Sequence, residues 1–221
     1  MKILGLDEAG RGCVVGDLVV GGFVFDLVGL ARTIGPADLP LQAALRAAGA
    51  DDSKALSARR RVEVREALRA LGEPHTRSIS AAEIDAGNLN ALEIQAFLDI
   101  VAAVKPDHVF LDAPVNPRGI PKLRAHLVAM SGVNAWTIEP KADATWPVVG
   151  AASIFAKVLR DEGIEALSAE YASQGGVGSG YPSDPVTRAW LSRFLQAGLP
   201  LPASVRTRWG TLDNLRQASL F

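Results

Sequence analysis

A short apolar run near the start of the chain ends in two adjacent acids and runs straight into a glycine-rich turn. The segment reads Ile3-Leu4-Gly5-Leu6-Asp7-Glu8-Ala9-Gly10-Arg11-Gly12. The apolar run predicts a β-strand, on which Asp7 and Glu8 point to opposite faces. Carboxylates at a buried strand end are unfavourable unless a cation or hydrogen-bond donors accompany them, and glycines let the backbone present N–H groups to a ligand. The segment indicates either a metal-dependent site for phosphate or sugar, or a strand with a solvated acidic end.

The composition fits a folded protein with a sizeable core. The chain has 221 residues, of which 48% are hydrophobic and 21% charged, and its formal net charge is −1. Contact with nucleic acid therefore requires local positive patches. The single cysteine, Cys13, excludes a disulfide framework, and no apolar run approaches the roughly 20 residues of a membrane span. With no signal-peptide pattern at the N-terminus, we expect a cytoplasmic protein, acting as a monomer.

Hydrophobic patterning predicts a chain in which strands and helices alternate. Strands are expected at residues 2–8, 16–25, 75–80, 107–114 and 133–138. Helices are expected at residues 37–48, 57–71, 90–104, about 146–171, and 184–196. The order is β-β-(α)-β-α-β-α-β followed by helices, which includes a helix without bounds between the fourth and fifth strands. This order predicts an α/β fold with a mixed five-stranded sheet flanked by helices and a helical C-terminal region from about residue 146. We expect residues 1–221 to form one domain.

Acidic residues end or follow three of the predicted strands. Asp7 and Glu8 end the first strand, Asp112 ends the fourth, and Asp143 follows the fifth. Because the carboxyl ends of adjacent parallel strands share one edge of a sheet, we expect the four acids to converge. Converging carboxylates repel one another without divalent cations, and Mg²⁺ prefers hard oxygen ligands. Two such ions can activate a water and stabilise the leaving oxygen of a phosphodiester.

The same acids also have structural interpretations. Asp112 could cap a strand end, and Asp143 could cap the helix that follows it. Asp51, Asp52 and Asp161 compete for the ligand role, although a solvated or salt-bridged helix turn also explains Asp161. Zinc is not indicated, because the three histidines show no ligand spacing.

Five segments carry motifs in a characteristic order. They are Asp7–Gly12, Asp52–Ser57, Lys141–Asp143 with Ala151–Val158 and Arg160-Asp161, Gly178–Pro185, and Val205–Thr211. Together these segments resemble the signature motifs of the type 2 ribonucleases H, the ribonuclease HII family, from residue 3 to about residue 211. One such motif would be weak, whereas five in order are highly specific. The aspartate at position 143 distinguishes the chain from the related ribonuclease HIII class, which has glutamate there.

The resemblance implies a ribonuclease H-like catalytic domain and a specific reaction. It implies that Asp7, Glu8, Asp112 and Asp143 are the catalytic residues and bind Mg²⁺ or Mn²⁺, with two ions present when substrate is bound. The implied reaction is endonucleolytic cleavage 5′ to a ribonucleotide, in RNA/DNA hybrids and in duplex DNA with embedded ribonucleotides. It leaves 3′-OH and 5′-phosphate ends. Such an enzyme would act in ribonucleotide excision repair and DNA replication.

The same resemblance implies a set of substrate-binding residues. The backbone of Gly10-Arg11-Gly12 would read the 2′-OH, the group that distinguishes RNA from DNA, and Tyr181 would stack at the ribose–deoxyribose junction. The motif around Lys54 indicates a phosphate contact. Lys157 lies on the helix after Asp143, and its position there suggests that it contacts a phosphate or pairs with an active-site acid. Tyr181 could instead pack under its glycine-rich loop. The arginines that follow Lys54 could form a solvated helix face with Glu63 and Glu66.

Two other functions are compatible with a chain of this kind. A nucleic-acid-binding module could keep the fold without catalysis, but the intact set of acids argues against it. A junction resolvase or a transposase-like nuclease could share the fold, but the Gly-Arg-Gly and Gly-Ser-Gly-Tyr motifs argue against that. Cleavage of a duplex containing one ribonucleotide would separate the three possibilities.

The last five residues suggest a protein partner. Gln217-Ala218-Ser219-Leu220-Phe221 resembles the bacterial sliding-clamp-binding pentapeptide. The glutamine can make directional hydrogen bonds, while the leucine and phenylalanine can fill an apolar pocket. Alternatively, the tail folds back so that Leu215, Leu220 and Phe221 pack on the helical region.

Overall fold

The computed structural model of the chain describes residues 1–27, 42–50 and 56–218. The strands are β1 (Lys2–Ala9), β2 (Leu18–Asp26), β3 (Glu73–Ile79), β4 (His108–Asp112) and β5 (Trp136–Glu139). The helices are α1 (Ala43–Ala47), α2 (Ala58–Arg69), α3 (Ala81–Ala86), α4 (Leu89–Val104), α5 (Ile120–Ser131), α6 (Ala142–Thr145), α7 (Pro147–Glu170), α8 (Pro185–Gln196) and α9 (Gly210–Ala218). Short 3₁₀ turns lie at Pro117–Gly119 and Ala172–Gln174.

The five strands form one sheet in the order β3-β2-β1-β4-β5. Strand β4 runs parallel to β1, with Leu6 opposite Leu111, and parallel to β5, with Leu111 opposite Ile138. Residues 3–7 of β1 are all buried, as expected for a central strand covered on both faces. The carboxyl ends of β1, β4 and β5 therefore lie at one edge of the sheet. The predicted mixed five-stranded sheet with flanking helices is confirmed.

The chain divides into two compact units. The first comprises Met1–Ala9, Val20–Arg77 and Glu93–Val158. Its core lies between the sheet and the first part of α7, where Phe110 packs against Trp146 with ring centroids 4.5 Å apart. A Cβ on Gly5 would lie only 2.1 Å from the carbonyl oxygen of Val148. Glycine in β1 thus permits direct contact between strand and helix backbones.

The second unit comprises Gly10–Val19, Ser78–Leu92 and Leu159–Phe221. Its core centres on α8, whose Trp190 and Phe194 rings meet edge to face with centroids 5.1 Å apart. Helix α8 begins where predicted, because the side chain of Asp184 accepts a hydrogen bond from the Val186 amide and Pro185 occupies the first turn. A single domain over residues 1–221 stays a prediction.

The long helix expected at about 146–171 is confirmed as α7, at 147–170, and a break at Trp146 separates it from the short helix α6. Trp146 has φ −111° and ψ 108°, an extended conformation. A residue before proline avoids the helical region, so Pro147 begins a new helix, α7, and residues 142–145 form the separate helix α6. The strand expected at 107–114 is shorter, as β4, and the strand expected at 133–138 starts later and ends one residue further on, as β5.

Helices α3 and α9 were not predicted, whereas α5 lies where a helix without bounds was expected, between the fourth and fifth strands. Helix α3 starts in a capping box between Ser80 and Glu83, a Ser-x-x-Glu pattern visible in the sequence. Helix α5 has a proline in its first turn and ends at Gly132, which has φ 72°. The other helix that was not predicted is α9, at residues 210–218. Of the helix expected at 37–48, the structure describes only α1; residues 37–41 lie outside the described part.

None of the described helices combines the length and apolar character that crossing a membrane requires.

Candidate active site

Three aspartates from three elements meet at the carboxyl edge of the sheet. Asp7 lies near the end of β1, Asp112 is the last residue of β4, and Asp143 lies in the first turn of α6, just after β5. Each offers a carboxylate oxygen, and these oxygens all lie within 4.8 Å of one another. The parallel pairing of β1 with β4 places Asp7 and Asp112 one residue beyond the paired Leu6 and Leu111. The convergence expected from strand order is therefore present for these three acids.

The turn that carries Asp143 is held by a second acid of the group. Asp112 Oδ1 accepts a hydrogen bond of 3.1 Å from the backbone amide of Ala142. Lys141, which precedes α6, adopts φ 60°, a left-handed conformation uncommon for residues other than glycine. This sharp reversal places Asp143 on α6 close to the end of β5.

Burial and neighbouring charge act together on Asp7. The residue is only 5% exposed. Its burial, followed by the negative charges of Glu8 and Asp112, raises the pKa of the Asp7 carboxyl well above its ordinary value. A hydrogen bond from Ser153 and the positive charge of Lys157 oppose this shift in pKa. The net rise in the pKa of Asp7 indicates that negative charge is crowded at this edge of the sheet.

Helix α7 provides the polar groups that support Asp7. Lys157 Nζ donates a hydrogen bond of 2.8 Å to Ser153 Oγ, and the Ser153 hydroxyl donates to the Asp7 carboxylate. Ser153 and Lys157 are four residues apart, so they share one face of the helix. Lys157 therefore reaches Asp7 through Ser153, and both roles expected for it, a phosphate contact or pairing with an active-site acid, stay predictions.

The three aspartates fit a divalent cation of the Mg²⁺ or Mn²⁺ type. Their ligand atoms are hard carboxylate oxygens at short mutual distances, and Asp7 and Asp143 are 5% and 4% exposed. A bound cation would offset the repulsion that raises the pKa of Asp7. Glu8, the fourth predicted ligand, neighbours Asp7 in the chain and acts on it through its charge, and its ligand role stays a prediction.

The competing acids have other surroundings. Asp161 forms an ion pair with Arg160 at 3.0 Å, in agreement with the salt-bridged helix turn considered from the sequence. Asp51, Asp52 and the predicted phosphate ligand Lys54 lie outside the described residues. Most arginines of α2 pair with Glu63 or Glu66 of the same helix, as Arg60 does with Glu63 at 2.8 Å, while Arg61 donates to the carbonyl oxygen of Leu56. These ion pairs agree with the solvated helix face that the sequence offered as the alternative to phosphate contacts.

The Gly10-Arg11-Gly12 turn belongs to the second unit, and only one of its glycines is required by the backbone. Gly10 has φ 87°, and a Cβ there would lie 2.7 Å from the carbonyl oxygen of Asp17. Gly12 is exposed, and a Cβ there would meet only Tyr181 Cε1, at 4.0 Å. The turn thus needs glycine at position 10 and brings Gly12 beside the ring of Tyr181.

A buried arginine holds this turn from within. Arg206 is 0% exposed, and its guanidinium donates to the carbonyl oxygens of Gly10 at 2.8 Å, Arg11 at 3.1 Å and Gly16 at 3.0 Å. A buried cation must have its donors satisfied, and three carbonyls in different directions suit the planar fork of arginine. Desolvation lowers the pKa of Arg206, yet arginine remains charged.

Tyr181 is 39% exposed and is held by a second arginine. The guanidinium carbon of Arg160 lies 4.8 Å from the centre of the tyrosine ring, within cation–π range. The same guanidinium donates to the carbonyl of Ser179 and lies 3.0 Å from Cys13 Sγ. Burial is the main cause that raises the pKa of the Tyr181 phenol. An aromatic face beside a glycine turn can contact a sugar or a base.

Comparisons with known proteins agree with this arrangement. The family model described as Ribonuclease HII matches residues 4–212. The chain belongs to the ribonuclease HII family. It is 37% identical to the ribonuclease HII of Archaeoglobus fulgidus, over 98% of this chain and 97% of that protein.

Two solved structures of the family share the fold over nearly the whole chain. One is the complex of PCNA with RNase HII from Archaeoglobus fulgidus, with TM-score 0.81, 36% identity and 97% of each chain covered. The other is the ribonuclease H2 of Pyrococcus horikoshii OT3, with TM-score 0.83, 34% identity, and 100% and 99% of the two chains covered. The expected ribonuclease H-like fold and the expected type 2 ribonuclease H enzyme are therefore confirmed.

Three residues that hold the acids or the glycine turn had no role predicted from the sequence. Ser153, Arg160 and Arg206 all lie inside segments that carried the family resemblance. The four-residue spacing of Ser153 and Lys157 was a usable signal for a shared helix face. No local pattern indicates that Arg206 binds a turn almost 200 residues away, since its partner Gly10 is 196 positions distant.

Proposed function

We propose that this ribonuclease HII cleaves the phosphodiester 5′ to a ribonucleotide, in RNA/DNA hybrids and in duplex DNA with embedded ribonucleotides. The products are 3′-OH and 5′-phosphate ends. The observation that carries this proposal is the group formed by Asp7, Asp112 and Asp143, whose ligand atoms lie within 4.8 Å of one another in a chain of this family. The enzyme acts as a monomer in the cytoplasm, in ribonucleotide excision repair and DNA replication.

The acids of the first unit are the proposed catalytic residues. Asp7, Glu8, Asp112 and Asp143 would hold two Mg²⁺ or Mn²⁺ ions. These ions supply activation of a water and stabilisation of the leaving oxygen. Ser153 and Lys157 orient the Asp7 carboxylate, because the hydroxyl donates to it and the ammonium donates to the hydroxyl at 2.8 Å. Lys157 also balances part of the negative charge of the group.

The second unit supplies the proposed recognition of ribose. The Gly10-Arg11-Gly12 backbone would contact the 2′-OH, and Tyr181 would stack on the sugar at the ribose–deoxyribose junction. Two features support this assignment. Arg206 fixes the turn through three carbonyl oxygens, and Arg160 fixes the exposed tyrosine ring. We keep Lys54 as a proposed phosphate contact on the basis of its motif.

Cleavage of defined duplexes tests the proposal. The substrates are one DNA duplex with a single ribonucleotide, one RNA/DNA hybrid and one all-DNA duplex, each with Mg²⁺, with Mn²⁺ and with EDTA. We expect cuts 5′ to the ribonucleotide with either metal, none with EDTA and none in all-DNA. No cut in the ribonucleotide-containing duplex with either metal would overturn the proposal. Cleavage in EDTA at the same rate as with metal would refute the proposed metal-dependent mechanism.

The C-terminal tail supports a second proposal, that the enzyme binds a sliding clamp. Gln217 is exposed in the last turn of α9, and residues 219–221 lie outside the described part. Leu215 packs in the core of the second unit, so folding back of the tail concerns only Leu220 and Phe221. A family member with 36% identity has been solved in complex with PCNA.

Deletion of residues 217–221 tests this partner. We expect weaker binding to an immobilised bacterial sliding clamp, and to PCNA as a second arm, with unchanged cleavage of a short duplex. Ala substitution of Leu220 and Phe221 should have the same effect, because these side chains would fill the apolar pocket. Equal clamp binding with and without the tail, or loss of folding on deletion, would decide for a tail that packs on the body.

A further inference from the structure

An aspartate at the end of helix α3 binds the segment that follows the buried arginine. Asp85 Oδ2 accepts hydrogen bonds of 2.7 Å from both the backbone amide and the hydroxyl of Thr207. Asp85 Oδ1 accepts a longer one, of 3.4 Å, from the amide of Arg208. Hydrogen bonds to a carboxylate are stronger than neutral ones, so this side chain fixes the backbone of residues 207–208.

The contact is reciprocal. Arg208 Nη1 donates to the carbonyl oxygen of Asp85 at 3.0 Å and lies 3.5 Å from that of Gly87. The end of α3 and the segment after Arg206 are therefore joined by side chains from both partners. The backbone of the residue next to Arg206 cannot shift without breaking these bonds.

Residues 204–206 bind the backbone of residues 14–16, which follow the Gly10-Arg11-Gly12 turn. The Gly16 amide donates to Ser204 O at 2.8 Å, the Arg206 amide donates to Val14 O at 2.9 Å, and Val15 forms a β-bridge with Val205. The Arg206 guanidinium adds its three contacts with the carbonyls of Gly10, Arg11 and Gly16. Residues 204–206 therefore contact the segment 10–16 at both of its ends.

A third contact closes the arrangement into a ring. The guanidinium of Arg11 donates to Asn90 Oδ1, in the first turn of α4. The segment 85–90 therefore binds residues 207–208 through Asp85 and the turn itself through Asn90. Three segments far apart in the chain, 10–16, 85–90 and 204–208, each contact the other two. We call them the recognition ring.

We propose that Asp85 is a positioning residue for ribonucleotide recognition, acting through the recognition ring on the backbone of the Gly10–Gly12 turn. Asp85 holds Thr207 and Arg208, which fix the backbone of Arg206, and the Arg206 guanidinium fixes the carbonyls of the turn. Backbone donors that read a 2′-OH must be held in place before the substrate arrives. This inference rests on the proposed function for its effect on recognition, but not for its effect on the turn.

Amide hydrogen exchange of the substrate-free protein tests the effect on the turn. The variant is Asp85→Asn, which keeps the size of the side chain and removes its charge. The matched control is Asp213→Asn, since Asp213 is an acid of the same unit whose side chain is 70% exposed and pairs only at the surface with Arg216. We expect exchange at residues 10–16 and 204–208 to accelerate by about tenfold in the Asp85 variant, as for one lost charge-assisted hydrogen bond. The control should match the wild type.

A second variant covers the case in which Asp85→Asn does not fold. Thr207→Val removes one 2.7 Å hydrogen bond to Asp85 and leaves both the carboxylate and the side-chain shape in place. We expect faster exchange in the same peptides, to a smaller extent. Unchanged exchange at residues 10–16 in the folded variants would overturn the positioning role.

Binding affinity tests the effect on recognition. Dissociation constants are measured for a duplex with one ribonucleotide and for the matching all-DNA duplex, in Ca²⁺ to prevent turnover. We expect Asp85→Asn to lower the preference for the ribonucleotide by about tenfold while affinity for all-DNA stays the same. Partial unfolding would weaken both affinities equally, so it gives a different result.

The two measurements separate this inference from the proposed function. A wild type that neither prefers nor cuts the ribonucleotide-containing duplex refutes the proposed function, while the exchange data still decide whether Asp85 positions the turn. A wild-type preference that Asp85→Asn leaves intact overturns the link from the recognition ring to recognition, whatever the exchange rates show.

Discussion

Asp112 accepts a hydrogen bond of 3.1 Å from the backbone amide of Ala142, the residue before Asp143. One carboxylate of the candidate metal group thus fixes the turn that carries another. Asn at position 112 could keep this bond through its amide oxygen while losing its charge. Charge and geometry can therefore be separated at this position.

Asp112→Asn and Asp143→Asn should each lower single-turnover cleavage by about 100-fold or more, because a lost ligand charge costs several kcal/mol of transition-state stabilisation. Circular dichroism should show both variants folded. Asp213→Asn, an exposed acid of α9, is the control and should keep normal activity. Near-normal cleavage by Asp143→Asn would reassign its ligand role, with Asp161 as the first substitute to test.

Asp7→Asn should make the metal-free protein more stable at pH 8. The pKa of Asp7 is raised in the folded state, so both states hold the proton below about pH 4, and stability is lost as pH rises through the raised value. Asparagine cannot titrate, which removes this loss. Thermal unfolding in EDTA should show a higher midpoint for the variant at pH 8, and a difference that shrinks toward pH 4.

Addition of Mg²⁺ should make the wild type more stable than Asp7→Asn at pH 8. A ligand that binds only the folded state stabilises it by mass action, so the wild type should gain more from Mg²⁺ than Asp7→Asn does. Equal gains in the unfolding midpoint would argue against Asp7 as a metal ligand, and a less stable variant in EDTA would argue against charge crowding at this edge.

Gly10→Ala should be more damaging than Gly12→Ala. Gly10 has φ 87°, and a Cβ there would lie 2.7 Å from a backbone oxygen, so alanine costs on the order of 1–3 kcal/mol in folding stability. Gly12 has only the edge of Tyr181 nearby, at 4.0 Å. Urea unfolding and cleavage of a single-ribonucleotide duplex should both rank the variants in this order. A folded, fully active Gly10→Ala variant would contradict the requirement for glycine at position 10.

Asp184→Ala should lower the stability of the second unit by about 1 kcal/mol, because it removes the N-cap of α8. Hydrogen bonds from Ser179 and Val186 hold the pKa of Asp184 at about 2. Its contribution is therefore fully present above the ordinary pKa of aspartate and is lost as pH falls through about 2. The difference in urea midpoint between wild type and variant should be largest near neutral pH and smallest at pH 2, whereas a constant difference would exclude this linkage.

Much of the fold and part of the candidate site could be predicted because their causes are local. The apolar run before Asp7 and the caps at Ser57 and Asp184 depend on residues a few positions away. Parallel strands bring their carboxyl ends to one edge, so acids at strand ends were expected to meet, and the pairing of β1 with β4 brings Asp7 and Asp112 together. The signal for the start of α3, which was not predicted, was also local, since the Ser80–Glu83 capping box spans four residues.

Only the tertiary structure decided which residues support the site. The sequence by itself determined the candidate acids, the glycine turn and the membership of a family, because these depend on residue type and order. It could not show that Arg206 binds Gly10 or that Asp85 binds Thr207, since these partners are 196 and 122 positions apart and no local rule links them. A buried guanidinium takes whichever carbonyls the fold brings to it, so its role is set by packing rather than by neighbouring residues.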